Sequence, residues 1–181
     1  TNCASYPSGD GQGNVMMGGQ DGLEIYNCTI TATARSTYSN GYNIKFCGDG
    51  YNKAFKIHHN TLKRLIGTPS SSYYDFSIEL WHTQGGAQIY NNNMSGGIDF
   101  GGAITYVCLD KGSYDYGAWV YGNNIGYDLS ATLNGTTGVY LECNTNGAII
   151  EKNTFNYQYN GIFVTPGSGQ TCQNHRISYN V

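Results

Sequence analysis

At 181 residues, with 12% charged side chains and a net charge of −3, the chain is the size of one ordinary domain and carries neither the basic footprint of a nucleic-acid binder nor a polybasic membrane surface. No run approaches the roughly 18 consecutive apolar residues that make a bilayer-spanning helix, so no membrane span is expected. With 26 Gly, 17 Tyr and only 3 Pro, short strands joined by tight turns are favoured over helices.

Residues 1–14 are rich in Gly and Ser and read as an N-terminal loop held by Cys3; residues 15–181 read as a single domain. The chain opens at Thr1 without a basic, apolar leader, which fits a mature chain whose targeting segment has been removed, or an excised domain. Val15-Met16-Met17 is the first apolar run. After the turn at Gly18-Gly19-Gln20-Asp21, the stretch Gly22-Leu23-Glu24-Ile25-Tyr26 alternates apolar and polar as a half-buried strand does.

That strand opens a phrase that returns along the chain: apolar, any, any, Asn, any, apolar. It recurs as Ile57 to Leu62, Ile89 to Met94, Val120 to Ile125 and Ile150 to Phe155. Degenerate copies begin at Ile25, with Cys28 in the Asn place, and at Ile177, ending in Asn180-Val181. The leading residues 25, 57, 89, 120, 150 and 177 are spaced by 32, 32, 31, 30 and 27, the signature of a repeat architecture. Upstream of each copy lies another apolar strand, at Asn43–Phe46, Ser77–Leu80, Tyr106–Leu109, Val139–Glu142 and Ile162–Val164. A third short stretch follows the Asn and opens with Ile30, Leu62, Met94, Ile125 or Phe155. Three strands and three corners per repeat predict a triangular coil, and about six coils in all.

Asn tolerates a left-handed backbone, and its amide both donates and accepts. Stacking Asn60, Asn92, Asn123, Asn153 and Asn180 therefore predicts an amide ladder in one turn of a parallel solenoid. Stacked in register, Ile25, Ile57, Ile89, Val120, Ile150 and Ile177 point inward. Tyr26, His58, Tyr90, Tyr121, Glu151 and Ser178 point outward.

The repeats Phe55–Leu62 (FKIHHNTL), Ala87–Met94 (AQIYNNNM) and Ala148–Phe155 (AIIEKNTF), behind strands such as Asn40–Phe46 (NGYNIKF) and Phe76–Trp81 (FSIELW), resemble the right-handed parallel β-helix of the pectate-lyase-like superfamily. The resemblance covers residues 15–181 and implies that fold. Its members include polysaccharide lyases, glycoside hydrolases, tailspikes and adhesins, so it transfers no single activity.

A lyase of this kind needs carboxylates to hold calcium against a uronate and a Lys or Arg to take a proton; the candidates are Lys45, Glu79 and Asp99. Lys45 and Glu79 fall at one place on adjacent coils, where a surface ladder ion pair is the simpler expectation. His58 and His59 are neighbours, and adjacent strand residues point opposite ways, so neither a metal site nor any cofactor beyond the lyase's calcium is expected. The outward column Tyr26, His58, Tyr90 and Tyr121, with Trp81 and Trp119, offers flat faces to sugars or a partner protein, or stacks to stabilise its own sheet.

The six Cys, without zinc spacing, favour disulfides and an extracellular or cell-surface location. Cys143 with Cys172, about one coil apart, is the first pairing and Cys3 with Cys28 the second; Cys47 and Cys108 remain. Asn27, Asn93 and Asn134 open Asn-x-Ser/Thr triplets, candidates for glycosylation. With no complete catalytic set and no terminal cap in the sequence, the leading expectation is a non-catalytic, secreted subunit associating end to end into an extracellular filament or surface fibre. The alternative is a carbohydrate-active β-helix, either a polysaccharide lyase-like enzyme or a polysaccharide-binding module.

Overall fold

The computed structural model describes residues 12–17, 21–32, 41–52, 54–64, 75–83, 85–96, 104–110, 117–128, 133–142 and 145–181. The chain runs through β1 (Gln12–Met17), β2 (Glu24–Tyr26) and β3 (Thr29–Ala32), then repeats that trio as β4 (Gly41–Asn52), β5 (Lys56–His58) and β6 (Thr61–Arg64). It does so again as β7 (Asp75–Thr83), β8 (Gln88–Tyr90) and β9 (Asn93–Gly96), and as β10 (Ile104–Asp110), β11 (Trp119–Tyr121) and β12 (Asn124–Ile125). Next come β13 (Leu133–Glu142), β14 (Ile149–Glu151) and β15 (Thr154–Phe155), followed by β16 (Gln158–Thr165) and β17 (Arg176–Ser178).

Every third strand pairs, always in parallel. The first sheet has the order β1-β4-β7-β10-β13-β16, the second β2-β5-β8-β11-β14-β17 and the third β3-β6-β9-β12-β15. This is an all-β parallel solenoid with three strands per coil. Its registers match the repeat: Ile25 lies beside Ile57, Ile57 beside Ile89, Ile89 beside Val120, Val120 beside Ile150, and Ile150 beside Ile177.

Strand alternation turns one set of side chains from each sheet into a shared interior. Ile44, Ile78, Val107 and Val139 come from the first sheet, Ile57, Ile89, Val120 and Ile150 from the second, and Leu62, Met94 and Ile125 from the third, all fully buried. Phe55 takes the place that Ala87, Ala118 and Ala148 hold in later coils, and it stacks on Phe46 at 4.1 Å.

The corners on either side of the second sheet bend through left-handed residues, as do Gly126 and Tyr157 after the third sheet. Gly22, Ala54, Gly86, Gly117, Gly147 and Asn174 lead into the second sheet; Asn27, His59, Asn91, Gly122, Lys152 and Tyr179 lead out of it. Among the latter, Gly122 adopts the left-handed backbone at no steric cost, and a Cβ there would meet Asn91 Oδ1 at 2.6 Å and turn that side chain aside. The next residue in each copy carries the ladder. Asn92 Oδ1 accepts from both the backbone N–H and the Nδ2 of Asn60, each at 3.0 Å, while Asn92 Nδ2 donates to Ile57 O at 2.9 Å and to Asn123 Oδ1 at 3.0 Å. Asn123 repeats the pattern onto Asn153, and Asn153 onto Asn180. Amides that would otherwise be costly to bury are thereby satisfied.

The fully buried part of this ladder, Asn60 through Asn92 and Asn123 to Asn153, spans about three turns of chain, short of the six coils expected. Burial fades towards both ends. Cys28 has no amide to extend the column and contributes only its backbone N–H to Asn60 Oδ1, and Ile177 is 49% exposed where its counterparts inside the stack are fully buried.

Candidate functional site

Two outward-facing columns hold the chemistry. On the second sheet the rings form one continuous stack: Tyr26 on His58 at 5.3 Å, His58 on Tyr90 at 4.6 Å and Tyr90 on Tyr121 at 4.9 Å, all within 10° of parallel. The spacing is that of adjacent strands, so the register itself places the rings face to face. Trp119 leans on Tyr121 at 4.2 Å and donates its Nε1–H to Glu151 Oε1 at 3.2 Å. Glu151 Oε2 accepts from Arg176 Nη2 at 3.4 Å, carrying the belt to the last strand. Burial, then the neighbouring Tyr90 phenol, push the Tyr121 hydroxyl above its ordinary pKa. The faces of His58 and Tyr90 are taken up by neighbouring rings. What the belt offers solvent is ring edges, hydroxyls and the outer face of Tyr26, which is 52% exposed.

The first sheet's outward column runs Lys45, Glu79, Cys108, Tyr140, Phe163. Lys45 Nζ and Glu79 Oε2 meet at 2.8 Å, as the repeat alignment predicts, but both side chains are almost completely buried, not at the surface. Lys45 also donates to Tyr42 Oη at 3.1 Å and lies 4.3 Å from the Tyr42 ring centroid. Tyr42 stacks on Phe76, and with buried Cys108 and half-buried Tyr140 they form a second apolar cluster. Burial, followed by Glu142 and Cys108, pushes the Tyr140 phenol strongly upward. With both side chains buried, Lys45 Nζ is not presented at the solvent-facing surface.

His58 and His59 do converge, contrary to the expectation from strand alternation. Their Nδ1 atoms lie 2.7 Å apart because His59 is a left-handed corner residue, with φ 54°, and no longer follows the strand. His175 sits at the open end of an inward column; its Nδ1 accepts the Ala148 N–H at 3.2 Å, and burial lowers its pKa.

Asp99 lies outside the described residues, as do Cys3 and Cys143. Trp81 is placed only by its backbone, in β7 beside Cys47 and Asp110. The Cys172 thiol donates to Leu141 O at 3.9 Å, so the expected Cys143–Cys172 bridge is not formed. Among the described residues no disulfide is present, and Cys28 carries a free, exposed thiol directed at Tyr26 O, so the Cys3–Cys28 bridge is not formed. Asn27 and Asn93 are exposed, and Asn134 is placed only by its backbone in β13.

No protein-family model matches the chain, and neither the curated proteins nor the solved structures compared with it show a match.

Proposed function

We propose that the protein is a non-catalytic, secreted β-solenoid subunit that stacks end to end into an extracellular filament or surface fibre. The observation carrying this is the complementarity of the second sheet's two outer strands. A second copy set beyond β17 presents its β2, placing Ile25 on Ile177, Glu24 on Arg176 and Tyr26 on Ser178, so that each column continues in register. Ile177 is 49% exposed and Ile25 half-buried, whereas Ile57, Ile89, Val120 and Ile150 between them are fully covered. Covering the outer pair removes apolar surface from water, and the contact is head to tail, so it propagates without closing. Burial of Lys45 with Glu79 adds support for a non-catalytic role. In this reading the coil is right-handed, as nearly all parallel crossovers are, the chain makes about six coils, and it is proposed to belong with the pectate-lyase-like β-helices that its repeats resemble. Exposed Asn27 and Asn93 are where glycans attach.

Electron microscopy and sedimentation over a concentration series test it. Wild-type protein is expected to form fibres whose width is that of one solenoid. Ile177→Asp is expected to leave monomers, and Arg176→Glu to weaken association until Glu24→Arg restores it. Monodisperse particles at every concentration overturn the proposal.

The second reading, a carbohydrate-active β-helix, draws on the belt from Tyr26 to Tyr121 and Trp119, whose hydroxyls and exposed terminal ring suit an extended polysaccharide. Retention on uronate polymers, with and without calcium, combined with release of unsaturated product, separates a binding module from a lyase.

A further inference from the structure

The contact between His58 and His59 is built on every side. His58 closes β5 and is held flat between Tyr26 and Tyr90, 10° and 7° from their planes. Its Nε2 lies 2.7 Å from Glu24 Oε1. His59 stands almost perpendicular to it, at 84°, with its own Nε2 at 3.4 Å from Asn91 Nδ2 and its ring edge-on to Tyr90. The remaining two ring nitrogens, Nδ1 of each, face one another at 2.7 Å.

A carboxylate at Nε2 holds the His58 proton there and leaves the Nδ1 lone pair unprotonated. A second Nδ1 at 2.7 Å is tolerable only if a proton or a cation lies between them. A proton meets the requirement when His59 Nδ1–H donates to His58 Nδ1 and Asn91 Nδ2–H donates to His59 Nε2. If the His59 proton moves from Nδ1 to Nε2, and the Asn91 amide turns so that its oxygen accepts it, both Nδ1 lone pairs become ligands. Both rings stay neutral and no proton is lost.

Metal–imidazole bonds of about 2.0–2.1 Å at a right angle put the two nitrogens about 2.9 Å apart, and at a tetrahedral angle about 3.3 Å. The observed 2.7 Å is close to the first value and short of the second. We infer that His58 Nδ1 and His59 Nδ1 form a chelating site for a divalent cation that prefers square-planar nitrogen ligation, copper(II) first and nickel(II) next. The ion enters from the side of exposed His59. Among the described residues no group of three or more His, Cys, Asp or Glu converges on one point. The described residues therefore supply two ligands, and water or another donor supplies the rest. Glu24 acts through His58, fixing which nitrogen is bare.

The test uses the full chain titrated with copper(II), and separately with zinc(II), followed by visible absorption and by NMR of the imidazole nitrogens. One equivalent of copper(II) is expected to broaden the His58 and His59 rings before those of the other two histidines, with copper(II) binding tighter than zinc(II). His59→Asn keeps a residue type that suits the left-handed corner and is expected to lower copper(II) affinity about tenfold or more while leaving far-ultraviolet circular dichroism unchanged. Unchanged affinity in His59→Asn, broadening spread evenly over the four histidines, or tighter zinc(II) than copper(II) binding would each overturn the assignment.

Discussion

The outward columns of the first and second sheets come from the same strand alternation, yet the first is sealed at Lys45, Glu79 and Cys108 while the second is open. Lys45, Glu79 and Cys108 are buried to within a few per cent, whereas Tyr26 is half exposed and the His58, Tyr90 and Tyr121 rings have edges in solvent. Each outward face holds a carboxylate paired with a nitrogen base on the neighbouring coil: Glu79 with Lys45 at 2.8 Å, Glu24 with His58 at 2.7 Å. Similar distances carry different energies, because a charge removed from water must be fully compensated while an exposed one is already solvated. Alternation therefore decides which side chains leave the solenoid's interior, not whether they reach water.

Breaking the sealed pair is the severest test. Glu79→Ala removes the buried carboxylate that lies 2.8 Å from the Lys45 ammonium. Denaturant unfolding is expected to show a loss of about 3–5 kcal/mol. Replacing both residues, as Lys45→Met with Glu79→Leu, is expected to recover most of it, since the layer around Tyr42, Phe76 and Cys108 is apolar. A single-mutant loss below about 1 kcal/mol, the scale of exposed pairs, would mean that this face is open after all.

On the open face the same unfolding measurement reads the stack. Tyr90 contacts His58 on one side and Tyr121 on the other, and each ring pair is worth about 0.5–1.5 kcal/mol. Tyr90→Ala is expected to cost about 1–3 kcal/mol, with Tyr121→Ala coupled to it in a double-mutant cycle. Absence of coupling would show that the rings are neighbours by register alone.

The repeated phrase made most of the architecture legible, because parallel stacking converts equal spacing into columns and the Asn amide needs a partner above and below. The sealing of the first sheet was harder to read. Its signal lay further along the same column, where Cys108 and Tyr140 replace the charges of Lys45 and Glu79 and join Tyr42 and Phe76 in one apolar cluster. The convergence of His58 and His59 had a signal too. His59 occupies the place of Asn27, Asn91 and Gly122, residue types that accept a left-handed backbone, so alternation stops one residue before it. The length of the buried ladder was not readable from spacing, because end coils keep the register while losing burial, as Ile177 does.

The finest comparison is the exposed pair itself. Glu24 is 44% exposed at its side chain, and its bond to His58 is an ion pair only while the imidazole is protonated. Glu24→Gln keeps the size and an acceptor oxygen, so it removes charge and little else. The expected loss is under about 1 kcal/mol at low salt. It should shrink further in salt, whose screening length falls to about 3 Å at 1 M. The cost of Glu79→Ala, measured beside it, should stay nearly constant, because a buried pair is screened far less. Unfolding curves of both variants at low and high ionic strength therefore separate the two faces. If Glu24→Gln proved as costly and as indifferent to salt as Glu79→Ala, the Glu24–His58 contact would belong to a covered layer, and the belt would not be the solvent-facing side of the solenoid.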